Sequence, residues 1–267
     1  MHTFCERSVN SNVLDEIVAA HRRAAARDTR TLDELQRAAL AGRPVRPFRA
    51  VLATPGMSVI AEIKRRSPSK GDLAPDLVPA VLAKAYADGG ADCLSVLTDR
   101  DFFGGSADDL GEARTASDLP VLRKDFTVSE GDIYDARAMG ADAVLLIVAA
   151  LTAAELSAFR LLATELEMAA LVEVHDEDEL GLALDVGAKL VGVNQRDLRT
   201  FEVERGRAER LAAIMPPGIV KVAESGIADA RDVARLADCG YDAILVGESL
   251  VTAADPVAAV RVLKGAR

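Results

Sequence analysis

Tryptophan is absent from this 267-residue chain, and aromatic residues of any kind make up only 4% of it. A surface built to stack nucleic-acid bases is therefore not expected. Cysteine is equally scarce. Cys5, Cys93 and Cys239 are odd in number, far apart and free of any CxxC spacing, so they read as reduced thiols and not as a disulfide framework. With no signal-peptide pattern either, a cytoplasmic protein is expected. His2, His21 and His175 lack metal-ligand spacing, so no metal is expected. No apolar run approaches the roughly eighteen residues of a membrane span, which removes the membrane as a partner. The net charge of −10 opposes binding to a polyanion, so nucleic acid is excluded as well. An anionic metabolite remains admissible where Lys and Arg cluster locally.

What the chain has is aliphatic sequence in a rhythm. Half of it is hydrophobic, and eight short apolar runs recur, several of them ending in a charged or polar residue. Val59-Ile60-Ala61-Glu62-Ile63-Lys64 is the first. Later ones include Pro120-Val121-Leu122-Arg123-Lys124, Leu171-Val172-Glu173, Leu190-Val191-Gly192-Val193-Asn194, Ile219-Val220-Lys221-Val222-Ala223-Glu224 and Ala243-Ile244-Leu245-Val246-Gly247. Helical stretches separate them: Leu77 to Asp88, Ala107 to Ala116, Glu130 to Met139, Ala153 to Leu166, Glu177 to Val186, Glu204 to Ile214, Ala228 to Ala237 and Pro256 to Leu263.

Apolar strands alternating with helices predict a parallel sheet covered on both faces. An open doubly wound sheet would look similar, but the count of eight favours a single (β/α)8 TIM barrel. A weak repeat agrees. Gly90-Ala91-Asp92, Gly140-Ala141-Asp142, Gly187-Ala188-Lys189 and Gly240-Tyr241-Asp242 each stand between a helix and a strand, where glycine can end the helix in a left-handed conformation. Val13 to Arg27 and Leu32 to Ala41 precede this rhythm. The expected division is residues 1–50 as an N-terminal helical extension packed on the barrel and residues 51–267 as the catalytic barrel.

Strand parity then locates chemistry. Side chains alternate between the two faces of a strand, so Glu62 and Lys64 share the inward face with Ile60. The same rule pairs Leu122 with Lys124, Leu171 with Glu173 and Val222 with Glu224, and it puts Asn194 and Arg196 together. Three carboxylates and three cations thus ring one opening, the end of a barrel where catalysis occurs. A structural ion-pair ring is the plain alternative, because buried charges must pair. Ser225-Gly226 after strand 7 and Gly247-Glu248-Ser249 after strand 8 have the placement of a phosphate site. The polar loop after strand 1, with Ser67, reads as a solvated connection or as a lid over that site.

Together these segments resemble the indole-3-glycerol phosphate synthase family. The likeness rests on Ile60-Ala61-Glu62-Ile63-Lys64-Arg65-Arg66-Ser67-Pro68-Ser69, Leu122-Arg123-Lys124-Asp125-Phe126, Leu171-Val172-Glu173-Val174-His175, Ala223-Glu224-Ser225-Gly226 and Val246-Gly247-Glu248-Ser249-Leu250. It runs from about Val59 to the C-terminus. One departure is Gln195, where the family often has a second asparagine; by parity it points away from the mouth, so little effect is expected.

The resemblance implies a phosphorylated substrate, 1-(2-carboxyphenylamino)-1-deoxyribulose 5-phosphate, and ring closure with loss of CO2 and water, without cofactor or metal. It implies catalytic roles for Glu62, Lys64, Lys124, Glu173, Asn194 and Glu224. Phosphate would lie on Ser225, Gly226, Gly247, Glu248 and Ser249. Arg196 would engage the substrate carboxylate, Ser67 would contact the ligand, and Phe103, Phe126, Leu145 and Leu198 would enclose the aromatic ring, with ordinary core packing as the alternative for those four. A monomer is expected in preference to a dimer, with transient contact to other tryptophan-pathway enzymes allowed for. Two rivals stay open. One is a phosphoribosylanthranilate isomerase-like barrel, which would need a cysteine on strand 1 that this chain lacks. The other is an inactive barrel acting as a binding subunit.

Overall fold

The computed structural model describes residues 13–198 and 200–265; His2 and Cys5 lie outside them. Eight parallel strands close on themselves. They are β1 (Ser58–Ile63), β2 (Cys93–Leu97), β3 (Val121–Lys124), β4 (Ala143–Ile147), β5 (Ala169–Val174), β6 (Leu190–Asn194), β7 (Val220–Glu224) and β8 (Ala243–Val246). Closure comes from β1, which pairs with β2 on one side and with β8 on the other. Val59, Ala61 and Ile63 face the helices, while Ile60, Leu122, Leu171 and Leu245 fill the interior.

The glycine repeat has a second half that explains its aspartate. Gly90, Gly140, Gly187 and Gly240 all take positive φ and end their helices. Two residues on, Asp92 accepts the backbone N–H of Val59, Asp142 that of Val121, and Asp242 that of Lys221, each at 2.8 Å. Each aspartate therefore ties the start of an even strand to the start of the odd strand before it. Lys189 stands at this place in the fourth copy and cannot accept, so β5 and β6 lack that tie.

The outer ring comprises α4 (Pro79–Gly89), α5 (Ala107–Ala116), α6 (Glu130–Met139), α7 (Ala153–Glu165), α8 (Glu177–Asp185), α9 (Gly206–Ile214), α10 (Ala230–Asp238), the short α11 (Glu248–Val251) and α12 (Pro256–Lys264). These follow the expected stretches closely, and the departures have local causes. The N–H of Glu204 is held by the Gln195 carbonyl at 2.8 Å, so α9 starts two residues later. Asp229 caps α10 by accepting from the N–H groups of Arg231 and Asp232, so that helix starts at Ala230. Thr152 and Glu155 form the reciprocal capping box of α7.

The extension holds α1 (Val13–Ala25), α2 (Leu32–Leu40) and α3 (Phe48–Leu52), the last of which spans the expected division at residue 50. α1 is fastened beyond the end of β4, where Arg22 bonds Glu155 at 2.8 Å and the Ala150 carbonyl at 3.2 Å. α2 packs along α6 through Leu35, Ala39 and Tyr134. In α3, Phe48 and Leu52 are one turn apart, fully buried, and belong to the interior cluster that contains Cys93, Val220 and Ala243 at the strand starts. Burying two such side chains contributes on the order of 3–6 kcal/mol. Cys93 and Cys239 are free thiols, and no helix among the described residues is long and apolar enough to cross a membrane.

Candidate active site

Two ion-pair groups occupy the C-terminal mouth of the barrel. In the first, Lys64, just past β1, donates from Nζ to Glu62 Oε1 at 2.6 Å, and Glu62 Oε2 also accepts from Ser95 on β2 at 3.3 Å. In the second, Lys124 at the end of β3 reaches across the opening. Its Nζ lies 3.1 Å from Glu173 Oε2 on β5 and 2.5 Å from Glu224 Oε2 on β7. Asn194, closing β6, donates to Glu173 Oε1 at 3.1 Å and accepts the N–H of Arg196 at 3.0 Å. The inward parity read from the strands places all of these side chains on one opening.

Two glycines make room for the carboxylates. A β-carbon on Gly192 of β6 would fall on Glu224 Oε1, and one on Gly247 would fall on Glu62 Oε1 and crowd Lys64 Nζ. Gly192 was not among the expected site residues, because a glycine in a strand carries no sign of a neighbour thirty-two positions away.

The electrostatics separate the groups. Burial works to lower the Lys124 ammonium, but the carboxylates of Glu224, Glu173 and Glu62 outweigh it and the net shift is upward. Lys124 is therefore fixed as a cation. Glu173 is also opposed by burial, yet Lys124, His175 and the Asn194 amide bring it below the ordinary carboxylate range. Glu224 goes the other way. Burial, with help from the negative charges of Glu173 and Glu62, pushes it up to about 7 against the pull of Lys124. Its Oε1 is buried and has no hydrogen-bond partner among the described residues, so a proton there would displace no existing contact. Two carboxylates driven apart in this way are suited to different tasks, one to keeping its charge and the other to exchanging a proton near neutrality.

Above these charges is a cavity of about 390 Å³, the size of a small-molecule site. Every residue named in the sequence analysis as catalytic, substrate-binding or phosphate-binding borders it. Phe103 and Phe126 stand with ring centroids 6.2 Å apart, and Leu145 and Leu198 complete the apolar wall. Leu97, Ile147, Phe201 and Arg205 also line it and were not foreseen. Phe201 has positive φ, and its carbonyl accepts from Arg196 at 3.0 Å.

The loop after β1 forms a small hairpin, Arg66–Ser67 against Gly71–Asp72, that brings Ser67, Pro68 and Ser69 to the rim. Arg65 pins it to Asp109, and Arg66 to the carbonyls of Arg100 and Asp101. Lys70 reaches Glu248 at 3.7 Å, and Arg196 approaches the same carboxylate at 4.0 Å.

The two loops expected to grip phosphate sit side by side. Ser225 and Gly226 both have left-handed backbone, with φ of 66° and 70°. For a serine this conformation costs on the order of 1 kcal/mol or more and needs support. Gln195 supplies it. Its side chain is fully buried, Nε2 donates to the Ser225 carbonyl at 2.7 Å, and its backbone N–H donates to the Glu224 carbonyl at 3.0 Å. Parity correctly turned Gln195 away from the mouth, but the expectation of little effect overlooked the loop it holds.

The family model described as indole-3-glycerol phosphate synthase matches residues 14–263. Indole-3-glycerol phosphate synthase 2 of Streptomyces coelicolor is 52% identical over 239 residues, covering 90% of this chain and 93% of that protein. The indole-3-glycerol phosphate synthase of Mycolicibacterium smegmatis is 48% identical over 253 residues, covering 94% and 93%. Among solved structures, thiamine phosphate pyrophosphorylase from Pyrococcus furiosus superimposes with a TM-score of 0.60 at 17% identity, covering 78% of this chain and 94% of that one. At that identity the likeness speaks for the barrel fold alone.

Proposed function

The chain belongs to the indole-3-glycerol phosphate synthase family, and from that premise we infer how its pocket carries out the family's reaction. It is a carboxy-lyase of tryptophan biosynthesis. It converts 1-(2-carboxyphenylamino)-1-deoxy-D-ribulose 5-phosphate to indole-3-glycerol phosphate with loss of CO2 and water.

The observation that carries the mechanism is Lys124, fixed as a cation between Glu173 and Glu224. Attack of the aromatic ring on the ketone builds negative charge on oxygen. A preorganised ammonium aimed at that oxygen lowers the barrier and then delivers the proton. Glu173 holds Lys124 in place and stays anionic. Glu224, poised near neutrality, is suited to take a proton up and give it back. With Asn194 it faces the substrate hydroxyls.

Dehydration uses the other pair. Lys64 protonates the departing hydroxyl and Glu62 accepts a proton, both from one strand face. Arg196 binds the substrate carboxylate and gives up its long contact to Glu248 to do so. That carboxylate must shed its water before leaving as CO2, which the apolar wall of Phe103, Phe126, Leu145 and Leu198 favours. Backbone N–H groups at Ser225, Gly226, Gly247, Glu248 and Ser249 grip the phosphate, and Ser67 closes over the ligand from the hairpin. Lys70 draws the Glu248 carboxylate aside, so that its charge does not oppose the phosphate.

The steps call on acids, bases and positioning from the chain's own side chains, with no metal or cofactor. The reading extends to a monomeric cytoplasmic enzyme with a phosphorylated small molecule as its ligand and at most transient contact with other enzymes of the pathway. The N-terminal helices are an extension serving the catalytic barrel. The test is Lys124→Ala: turnover should fall on the order of 10²-fold or more while the circular dichroism spectrum is kept. A folded variant retaining a tenth of its turnover would remove Lys124 from this role.

A further inference from the structure

His21 stands on α1, outside the barrel, yet its ring ends at the aromatic wall of the pocket. Its Nε2 lies 2.9 Å from Asp99 Oδ2 and 3.8 Å from Asp125 Oδ1, and its ring centroid is 5.5 Å from that of Phe126. Both aspartates are buried, and each already holds the backbone of an aromatic residue. Asp99 Oδ1 accepts the N–H groups of Phe102 at 2.6 Å and Phe103 at 3.0 Å. Asp125 Oδ1 accepts the N–H of Phe126 at 2.8 Å. The imidazole thus reaches Phe103 through one carboxylate and touches the Phe126 ring directly.

The two carboxylates and the imidazole come close enough to suggest a cation site, but the protein's own donors already use the oxygens. Asp125 Oδ2 accepts from Thr98 and from Arg123 at 2.9 Å, in addition to the backbone bonds above. What remains is a histidine–carboxylate clamp. Burial acts to lower the His21 pKa, but the bond to Asp99 and the charges of Asp125, Asp99 and Asp132 raise it on balance. Arg123 sits on the far side of Asp125.

We propose that His21 is a positioning residue for the substrate's aromatic ring: through Asp99 it fixes the segment carrying Phe103, and with its own ring it backs Phe126. This rests on the reading that the ring lies between those two phenylalanines. It gives the N-terminal extension a part in the site, since α1 carries a support that the barrel does not supply. The clamp acts before and during the reaction alike, so its loss should weaken binding and leave the chemical step nearly untouched. α1 itself should stay docked without His21, because Leu14, Ile17 and the Arg22–Glu155 pair hold it independently.

The test compares His21→Leu and His21→Gln with the wild type. For His21→Leu, KM should rise roughly tenfold, the equivalent of one lost charge-assisted hydrogen bond, with kcat changed less than about threefold. Inhibition by 2-aminobenzoate, which probes the aryl subsite, should weaken by a similar factor, while inhibition by inorganic phosphate stays constant. His21→Gln, whose neutral amide can donate to Asp99 without the charge, should recover part of the loss. Wild-type KM should also climb as pH rises through the titration of His21, by more than it does in His21→Leu. Unchanged KM and 2-aminobenzoate inhibition in His21→Leu would overturn the proposal. So would a loss shared equally by phosphate inhibition and kcat, or one that His21→Gln does not recover. A wild type that failed to turn over the substrate would instead strike at the functional reading beneath it.

Discussion

Glu224→Gln should change the pH dependence of stability in a direction that the geometry dictates. The Glu224 carboxyl is raised from an ordinary 4.5 to about 7 in the folded protein, chiefly by burial. Below pH 4.5 it is protonated folded or unfolded, and well above 7 it is charged in both states. Between those limits the folded state keeps a proton that the unfolded state releases, so stability falls as pH rises through the window. At about 1.4 kcal/mol per tenfold change, the full cost of charging the buried group is about 3 kcal/mol. Of this, roughly 2 kcal/mol develops between pH 5.5 and 8.0.

Glutamine matches the shape of the protonated acid and pays no such cost. The stability of Glu224→Gln relative to wild type should therefore grow by about 2 kcal/mol between those two pH values. Urea unfolding at both pH values measures this. For a chain of this size, with a denaturant slope of about 3 kcal/mol/M, the gap between the two midpoints should widen by roughly 0.7 M. Other titrating groups are common to both proteins and cancel in the difference. A gap that stays constant, or narrows with rising pH, would refute the assignment of Glu224 as the raised carboxyl.

Two further substitutions test the loops. Gln195→Leu removes the donor that holds the Ser225 carbonyl, so KM should rise about tenfold with kcat largely kept, as steady-state kinetics would report. Gly247→Val places a side chain on the Glu62–Lys64 pair, within a loop proposed to grip phosphate. Its kcat/KM should fall on the order of 10²-fold while the thermal midpoint moves by only a few degrees, and a variant with near-normal kinetics would show that neither contact matters.

Much of the site was legible because strands impose a period of two and a barrel places its chemistry at one end. Those two rules sufficed to place Glu62, Lys64, Lys124, Glu173, Asn194 and Glu224 around one cavity. Residues whose importance depends on a partner distant in sequence escaped. Gln195 was correctly turned outward, but nothing local showed that Ser225 would lie against it. Gly192 reads as an ordinary strand glycine until Glu224 is seen to fill the space beside it. α3 is only five residues long, too short for helical periodicity to emerge, and its packing against Cys93, Val220 and Ala243 belongs to the folded state. The helical segment from Val13 was expected to pack on the barrel, yet its sequence gave no sign that His21 would come down beside Phe126.

On the proposed mechanism two separate ion-pair groups serve two separate steps. Rapid-quench measurement of CO2 release against indole absorbance, on Lys64→Met and Lys124→Met, separates them. Lys124→Met should block both signals, because ring closure fails before CO2 can leave. Lys64→Met should release CO2 ahead of indole formation, so that a decarboxylated but still hydrated intermediate accumulates. If both variants lose the two signals in parallel, one shared network of Lys64, Glu62, Lys124, Glu173 and Glu224 serves every step, and the division of labour argued from their geometry is wrong.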